Sequence, residues 1–394
     1  MENLDYFVNT GVTWIFAIIG TSLSGYLLFR FAIFLNKQFM RQKIIGKHKN
    51  GVLLKVSLPR YRHQSDTPNE RVSQSKNKTN VAEQMFAELR AIVPQDWRKH
   101  LIYRESLSFE IVATATEISF YIFCTRDLQS FVTNTVYAAY PEADISVSSD
   151  YFSNLTKNNL SYGYVRLVGP EYAPIRTYDT MVNDSLNSVL NKLTNLRGEE
   201  MVAIQTILTP VSGSWRNKAY SYLNYLKKTQ ADSQIKNASQ DPNSPPILSN
   251  PSQDLNIDKD AFASVEQKMN KKGFLTGVRI ISSSPDPNVA KANFELVARS
   301  YTQFDVSPLT SFQPSQFSLG LNNFLSYFRL RVQPLFDFGP FKQQFIANTA
   351  EVASIFHFPG EEIQSPKVDW QKYKTAGAPA YLPTEGTFMG YNFF

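Results

Sequence analysis

An α+β fold is predicted, with one N-terminal transmembrane helix followed by two ferredoxin-like α/β units whose helices pack on mostly antiparallel sheets. Three observations carry it. An apolar run, Val12 to Leu35, lies near the start. After a first strand, the periodicities run helix, strand, strand, helix, strand, an order that layers helices on one face of a sheet. The same rhythm returns in the second half of the chain without a residue-level repeat.

The apolar run reads VTWIFAIIGTSLSGYLLFRFAIFL and carries one formal charge, Arg30. A hydrocarbon core of roughly 30 Å needs about 20 mostly apolar residues in a helix, so residues 12–35 are long enough to span. Trp14 suits an interface anchor and Arg30 can snorkel to the headgroups. A cleaved secretory signal would need a basic stretch before the run, whereas Met1 to Thr10 carries only Glu2 and Asp5. Lys37, Arg41, Lys43, Lys47 and Lys49 follow it instead. This asymmetry predicts residues 1–11 outside, 12–35 in the membrane, 36–50 as a basic juxtamembrane segment and the remainder in the cytoplasm. Trp14, Arg30 and those five basic residues are the expected membrane-interface set.

The first α+β unit is expected over 51–150. Gly51 to Arg60 is strand-like and ends in proline, and Arg62 to Asn80 is polar enough to be a flexible connector. Val81, Met85, Leu89 and Ile92 form one helical stripe ended by Pro94. Leu107 to Ala113 and Ile118 to Cys124 form a hairpin. A helix through Leu128, Val132, Val136 and Ala139 stops at Pro141, before a strand at Asp144 to Ser149.

The second unit is expected over 151–358. Its strands are Tyr162 to Val168, Met201 to Thr209 and Phe274 to Ser282; its helices are Leu186 to Leu193, Trp215 to Leu226, Ala261 to Lys271 and Asn288 to Tyr301. Lys227 to Lys259, dense in Ser, Asn, Gln, Asp and Pro, is expected to be a disordered insertion. From Phe304 the chain should wrap the two units in short elements, and 359–394 should be an extended connector.

With 29 Phe, 20 Tyr and only 19% charged residues, the part after the membrane segment must bury a core. The net charge of +6 owes five charges to the stretch Lys37 to Lys49, so it marks topology and anionic lipid, and DNA is expected only as an indirect partner. A single cysteine, Cys124, excludes a disulfide framework and reads as core. The only Gly-Lys pair, Gly46 and Lys47, precedes His48, so no phosphate-cradling loop exists, and His48, His63, His100 and His357 have no zinc spacing. His357 is expected to be a satisfied structural histidine, Glu199 and Glu200 a solvated turn, and Asp184 a helix N-cap. No catalytic residue, cofactor or metal site is expected, and the chain is read as a non-enzyme.

Several stretches carry a family resemblance: VAEQMFAELRAI at Val81, SFEIVATATEISFYIFCTRDLQSFV at Ser108, VYAAYPEADI at Val136, PIRTYDT at Pro174, GEEMVAIQTILTPV at Gly198 and EVASIFHFPG at Glu351. Together they resemble the membrane-anchor region of type IV secretion and conjugation proteins of small-genome bacteria, where it precedes an FtsK/TraG-like DNA-pumping ATPase. LPTEGTFMGYNFF looks like the junction before that motor, which is expected to act from a separate chain. The resemblance implies a non-catalytic assembly subunit of a DNA-translocation apparatus in the bacterial inner membrane, paired with an ATPase motor and forming a homo-oligomer. Phe388, Met389, Tyr391, Phe393 and Phe394 are the expected partner-docking residues. The alternative is a membrane-tethered scaffold with no link to DNA.

Overall fold

The strand-forming runs of both halves assemble into one sheet. The computed structural model describes residues 19–31, 35, 42–60, 68–92, 105–238, 262–316, 320–334, 342–360, 363 and 365–371. Two helices come first, α1 (19–31) and α2 (42–49). The first half then contains β1 (Val52–Ser57), α3 (Pro68–Leu89), β2 (Leu107–Thr114), β3 (Ile118–Cys124), α4 (Gln129–Ala139) and β4 (Asp144–Ser148). After the short α5 (Phe152–Leu155), the second half contains β5 (Asn159–Val168), α6 (Ser185–Leu193), β6 (Met201–Pro210), α7 (Arg216–Ala238), α8 (262–270), β7 (Gly273–Ser284), α9 (Pro287–Arg299) and β8 (Ser311–Ser315). Next come α10 (Leu321–Leu330), β9 (Gln344–Asn348) and α11 (Thr349–Ile355).

The sheet order is β4-β1-β3-β2-β6-β7-β5-β8, with β9 beside β7, and every named pair is antiparallel. Each half lays its first four strands down in one order, fourth, first, third, second, and the halves join through β2 and β6. The two predicted units therefore share a single sheet. The β2–β6 junction pairs Phe109 with Thr206 and Ile111 with Ile204, and leaves neither inner strand as an edge.

Strand alternation divides the side chains between two faces. One face carries Leu54, Phe109, Ile111, Phe120, Ile122, Ile204 and Ile280 into a core closed by α3, α4, α6, α9 and α11. Its aromatic spine runs from Phe86 of α3 to Phe109 (5.0 Å) and on to Phe356 (5.2 Å). Cys124 belongs to this core, and burial pushes its thiol up to about 12, so it carries no thiolate at neutral pH. The opposite face packs Leu53, Tyr121, Phe123, Tyr164 and Ile281 against Phe324 and Phe328 of α10. A satellite cluster holds Trp215, Ala219 and Leu223 of α7 against Val265 and Met269 of α8.

Several boundaries differ from the expectation. Residues 68–80, expected as connector, are the first turns of α3. Pro68 is compatible with a helix start, and the exposed Asn77 and Asn80 form helix where they need not meet a core. Likewise, 227–238 continues α7, so only the later part of the expected insertion (239–259) falls outside the described residues. The expected C-terminal connector is docked in its first part. Ile118 donates to Lys367 O at 2.6 Å, Asp369 donates to Ile118 O at 2.9 Å, and Gln371 donates to Leu58 O at 2.9 Å.

Of the predicted span, residues 12–18 and 32–34 lie outside the described residues. The described part, α1, exposes Ile19, Leu23, Leu27, Leu28, Phe29 and Phe31. Among the described residues no helix is long and apolar enough to cross a membrane.

Candidate functional site

Two arrays of buried polar side chains stand on opposite faces of the sheet. The first is a row across the strands. Register places Tyr121 beside Glu110, Glu110 beside Gln205, Gln205 beside Arg279 and Arg279 beside Tyr164, on the face that α10 covers. Arg331, which caps α10 at its C-terminus in the left-handed region (φ 53°), closes this row. That conformation costs a non-glycine residue about 1–2 kcal/mol and is kept where contacts over-determine it.

Those contacts occupy all five guanidinium donors of Arg331. Nε donates to Glu110 at 3.0 Å, Nη2 to Glu110 at 3.3 Å and to Asp150 at 3.0 Å, and Nη1 to Asp150 at 2.6 Å and to Arg329 O at 2.7 Å. Burial works against this charge, but Glu110 and Asp150 outweigh it and hold Arg331 well above the ordinary arginine range. Burial would also raise the Asp150 carboxyl, yet Arg331 keeps it below the usual carboxylate range. Tyr151 OH and Ser108 Oγ each donate to Glu110 at 2.7 Å. The neighbouring Arg279 is fully buried, donates Nη1 to Val332 O at 3.0 Å and has its Nε and Nη2 unpartnered. Burial lowers its pKa to about 10, against support from Tyr164 and Glu110.

This row also receives α2. His48 is buried, packs its ring at a tilt against Phe123 at 5.4 Å and places Nδ1 2.8 Å from Leu330 O. Lys47 pairs with Glu105 at 3.2 Å and with Asp127 at 2.9 Å. The end of α2 is thus anchored on the domain, while Arg30, Lys43 and Lys49 are exposed. Trp14, Lys37 and Arg41 lie outside the described residues, as do Phe388, Met389, Tyr391, Phe393 and Phe394.

The second array surrounds α11, every residue of which is buried. Asn348 and Glu351 form a capping box at its start. Glu351 Oε1 also accepts from Ile175 N at 2.9 Å, and Oε2 lies 3.2 Å from the Lys268 ammonium. Lys268 donates further to Ala173 O and Ile346 O, both at 2.8 Å, so its three protons are committed. Burial lowers the Lys268 pKa and Glu351 opposes that shift. Glu83 of α3 accepts from Tyr178 OH at 2.9 Å and from Thr349 Oγ1 at 3.0 Å, and pairs with Lys271 at 2.8 Å. Ser354 Oγ accepts from Tyr178 N at 2.9 Å.

His357, just past α11, places Nδ1 2.8 Å from Ala353 O and Nε2 3.1 Å from both oxygens of Asp184. Both neighbours are acceptors, so the ring fits as a double donor. Asp184 caps α6 by accepting from Leu186 N at 2.8 Å. The structural roles expected for these two residues are those the geometry gives.

This array floors a cleft of about 450 Å³ lined by Ile175, Arg176, Thr177, Lys268, Asn348 and Glu351. Its walls come from PIRTYDT, α8, Val306 and Ser307, and the start of α11, segments far apart in sequence. The ammonium and carboxylate at its floor already have their partners and tie these elements together. Among the described residues, no group of three or more His, Cys, Asp or Glu could hold a metal ion.

A family model described as Domain of unknown function (DUF8128) matches residues 61–371. The chain belongs to the DUF8128 family. No curated protein matches it. The DUF8128 match takes in both polar arrays and the docked segment up to Gln371, but not α1, α2 or β1.

Sequence reasoning missed Glu110, Gln205, Arg279, Lys268 and Arg331. The signal for the first three was present: each is a charged or amide residue inside a largely apolar strand, in SFEIVA, VAIQTIL and GVRIIS, at a position that alternation sends to one face. Lys268 and Arg331 gave no such signal, because their burial depends on elements distant in sequence.

Proposed function

We propose that this chain is a membrane-anchored, non-catalytic assembly subunit of a DNA-translocation apparatus of the type IV secretion or conjugation class. In this reading α1 belongs to a helix crossing the bacterial inner membrane, with the α+β part in the cytoplasm, and the domain is a platform for an FtsK/TraG-like ATPase motor. The observation that carries it is α1, whose apolar side chains stand exposed beside a helix, α2, anchored on the domain through Lys47 and His48. Exposed apolar area of this kind needs lipid or protein to cover it. The committed donors of Arg331 and Lys268 support rigidity at these two points over catalysis. The strand order fourth, first, third, second in each half supports reading both halves as ferredoxin-like units joined side by side.

Affinity purification of the whole chain from cross-linked native membranes tests the partner. A hexamer-forming or related DNA-pumping ATPase should be enriched together with further copies of this chain. Recovery of a partner set with no nucleotide-hydrolysing translocase would sink the proposal in favour of a general membrane-tethered scaffold.

A further inference from the structure

We propose that β4 is a self-association edge, across which two copies of this chain continue one sheet by antiparallel pairing. The sheet ends in two strands, β4 and β8. An edge strand turns the N–H and C=O groups of alternate residues away from the sheet, a template for a further strand. β8 blunts its own edge, because Pro314 within it has no N–H to offer. β4 reads DISVS, with no proline or lysine and one charge, Asp144, at its start. Among the described residues it pairs with β1 alone.

One register makes this strand complementary to itself. Pairing with β1 sets Ile145 beside Val56 and Val147 beside Leu54, so both belong to the face whose core α3 and α4 close. Ile145 packs at the margin of that core, whereas Val147 is 67% exposed. In a two-fold antiparallel pair centred on Ser146, all five residues of each strand find an opposite: Ser146 meets Ser146, Val147 meets Ile145 and Asp144 meets Ser148 of the second copy. The exposed valine gains an apolar cross-strand neighbour, and the one charge faces a hydroxyl and not its like. Outward-facing backbone groups lie on every second residue, and this register sets those residues opposite one another, so they can bond. Moving the centre to Ile145 or Val147 leaves two residues of each β4 outside the overlap. A two-fold contact needs one surface that fits itself, which is what this register supplies. Five residues a side fall short of the roughly 20–30 of a standard interface, so the contact is reversible. The inference goes beyond the membrane and translocase reading and does not depend on it.

Sedimentation of the whole purified chain in detergent, over a concentration series, decides it together with cysteine cross-linking. The intact chain should pass from monomer to dimer. Val147→Lys, which changes an exposed side chain, should raise the dimer dissociation constant at least tenfold with the thermal unfolding midpoint unchanged. Cys124 is buried, so an introduced cysteine reports alone. Directly opposite residues have Cα atoms about 4.5–5.5 Å apart, within the span of a disulfide. Ser146→Cys should therefore cross-link to itself under mild oxidation, whereas Ser148→Cys should cross-link only when mixed with the Asp144→Cys chain. A monomer at every concentration, dimerisation unmoved by V147K, or self-cross-linking of S148C as readily as S146C would overturn the proposal.

Discussion

Glu110→Ala should destabilise the domain by about 3–5 kcal/mol, the range for removing one partner of a buried ion pair. The substitution leaves the Arg331 guanidinium buried beside only Asp150, whose side chain is 40% exposed. It also removes the acceptor of Tyr151 OH and Ser108 Oγ. Arg331 sits in a left-handed conformation that these contacts hold, so the end of α10 should loosen with it. Asp150→Asn is the internal comparison. Its partly solvated carboxylate contributes less, and the loss should stay near the 0–1 kcal/mol typical of exposed pairs. Denaturant unfolding followed by tryptophan fluorescence reads both. A Glu110→Ala loss no larger than that of Asp150→Asn would contradict the row as a buried lock.

Glu351→Ala should cost a similar amount, about 3–5 kcal/mol, for a different combination of reasons. Lys268 keeps its two carbonyl partners but loses its paired carboxylate in a site that is fully buried. The N–H groups of Ile175 and Asn348 lose their acceptors, and the capping box of α11 is dissolved. A double variant, K268M/E351M, removes both charges together, and replacing a buried pair by apolar groups is often close to neutral. It should therefore be more stable than Glu351→Ala alone, while still lacking the backbone contacts of Glu351. Zero coupling in the double-mutant cycle would mean that Lys268 and Glu351 do not act as a pair.

How much of this was legible in the sequence depended on the range of the forces involved. Local periodicity placed the hairpin of β2 and β3, the helices α4, α6 and α9 and the buried strand β6, because each is set by neighbours within one or two turns or pleats. The Asp184 cap was readable for the same reason. The joining of both halves into one sheet was not readable, since Phe109 meeting Thr206 depends on register between strands far apart. Polar composition misled at Pro68–Asn80, where a run with few apolar residues was assigned to a connector and is helix. Nothing local in the sequence singles out Glu83 or Glu351, which act as hubs because PIRTYDT folds over α11.

The domain should be held at a membrane by a helix that includes α1, with everything from Lys37 onward in the cytoplasm. Fusing a reporter after Phe394 and expressing the whole chain in a bacterial host measures this directly, together with extraction of the membranes at alkaline pH. The account predicts that the chain resists extraction, that a reporter active only in the cytoplasm is active, and that a reporter active only in the periplasm is silent. Release of the chain into the soluble fraction, or activity of the periplasmic reporter, would contradict it.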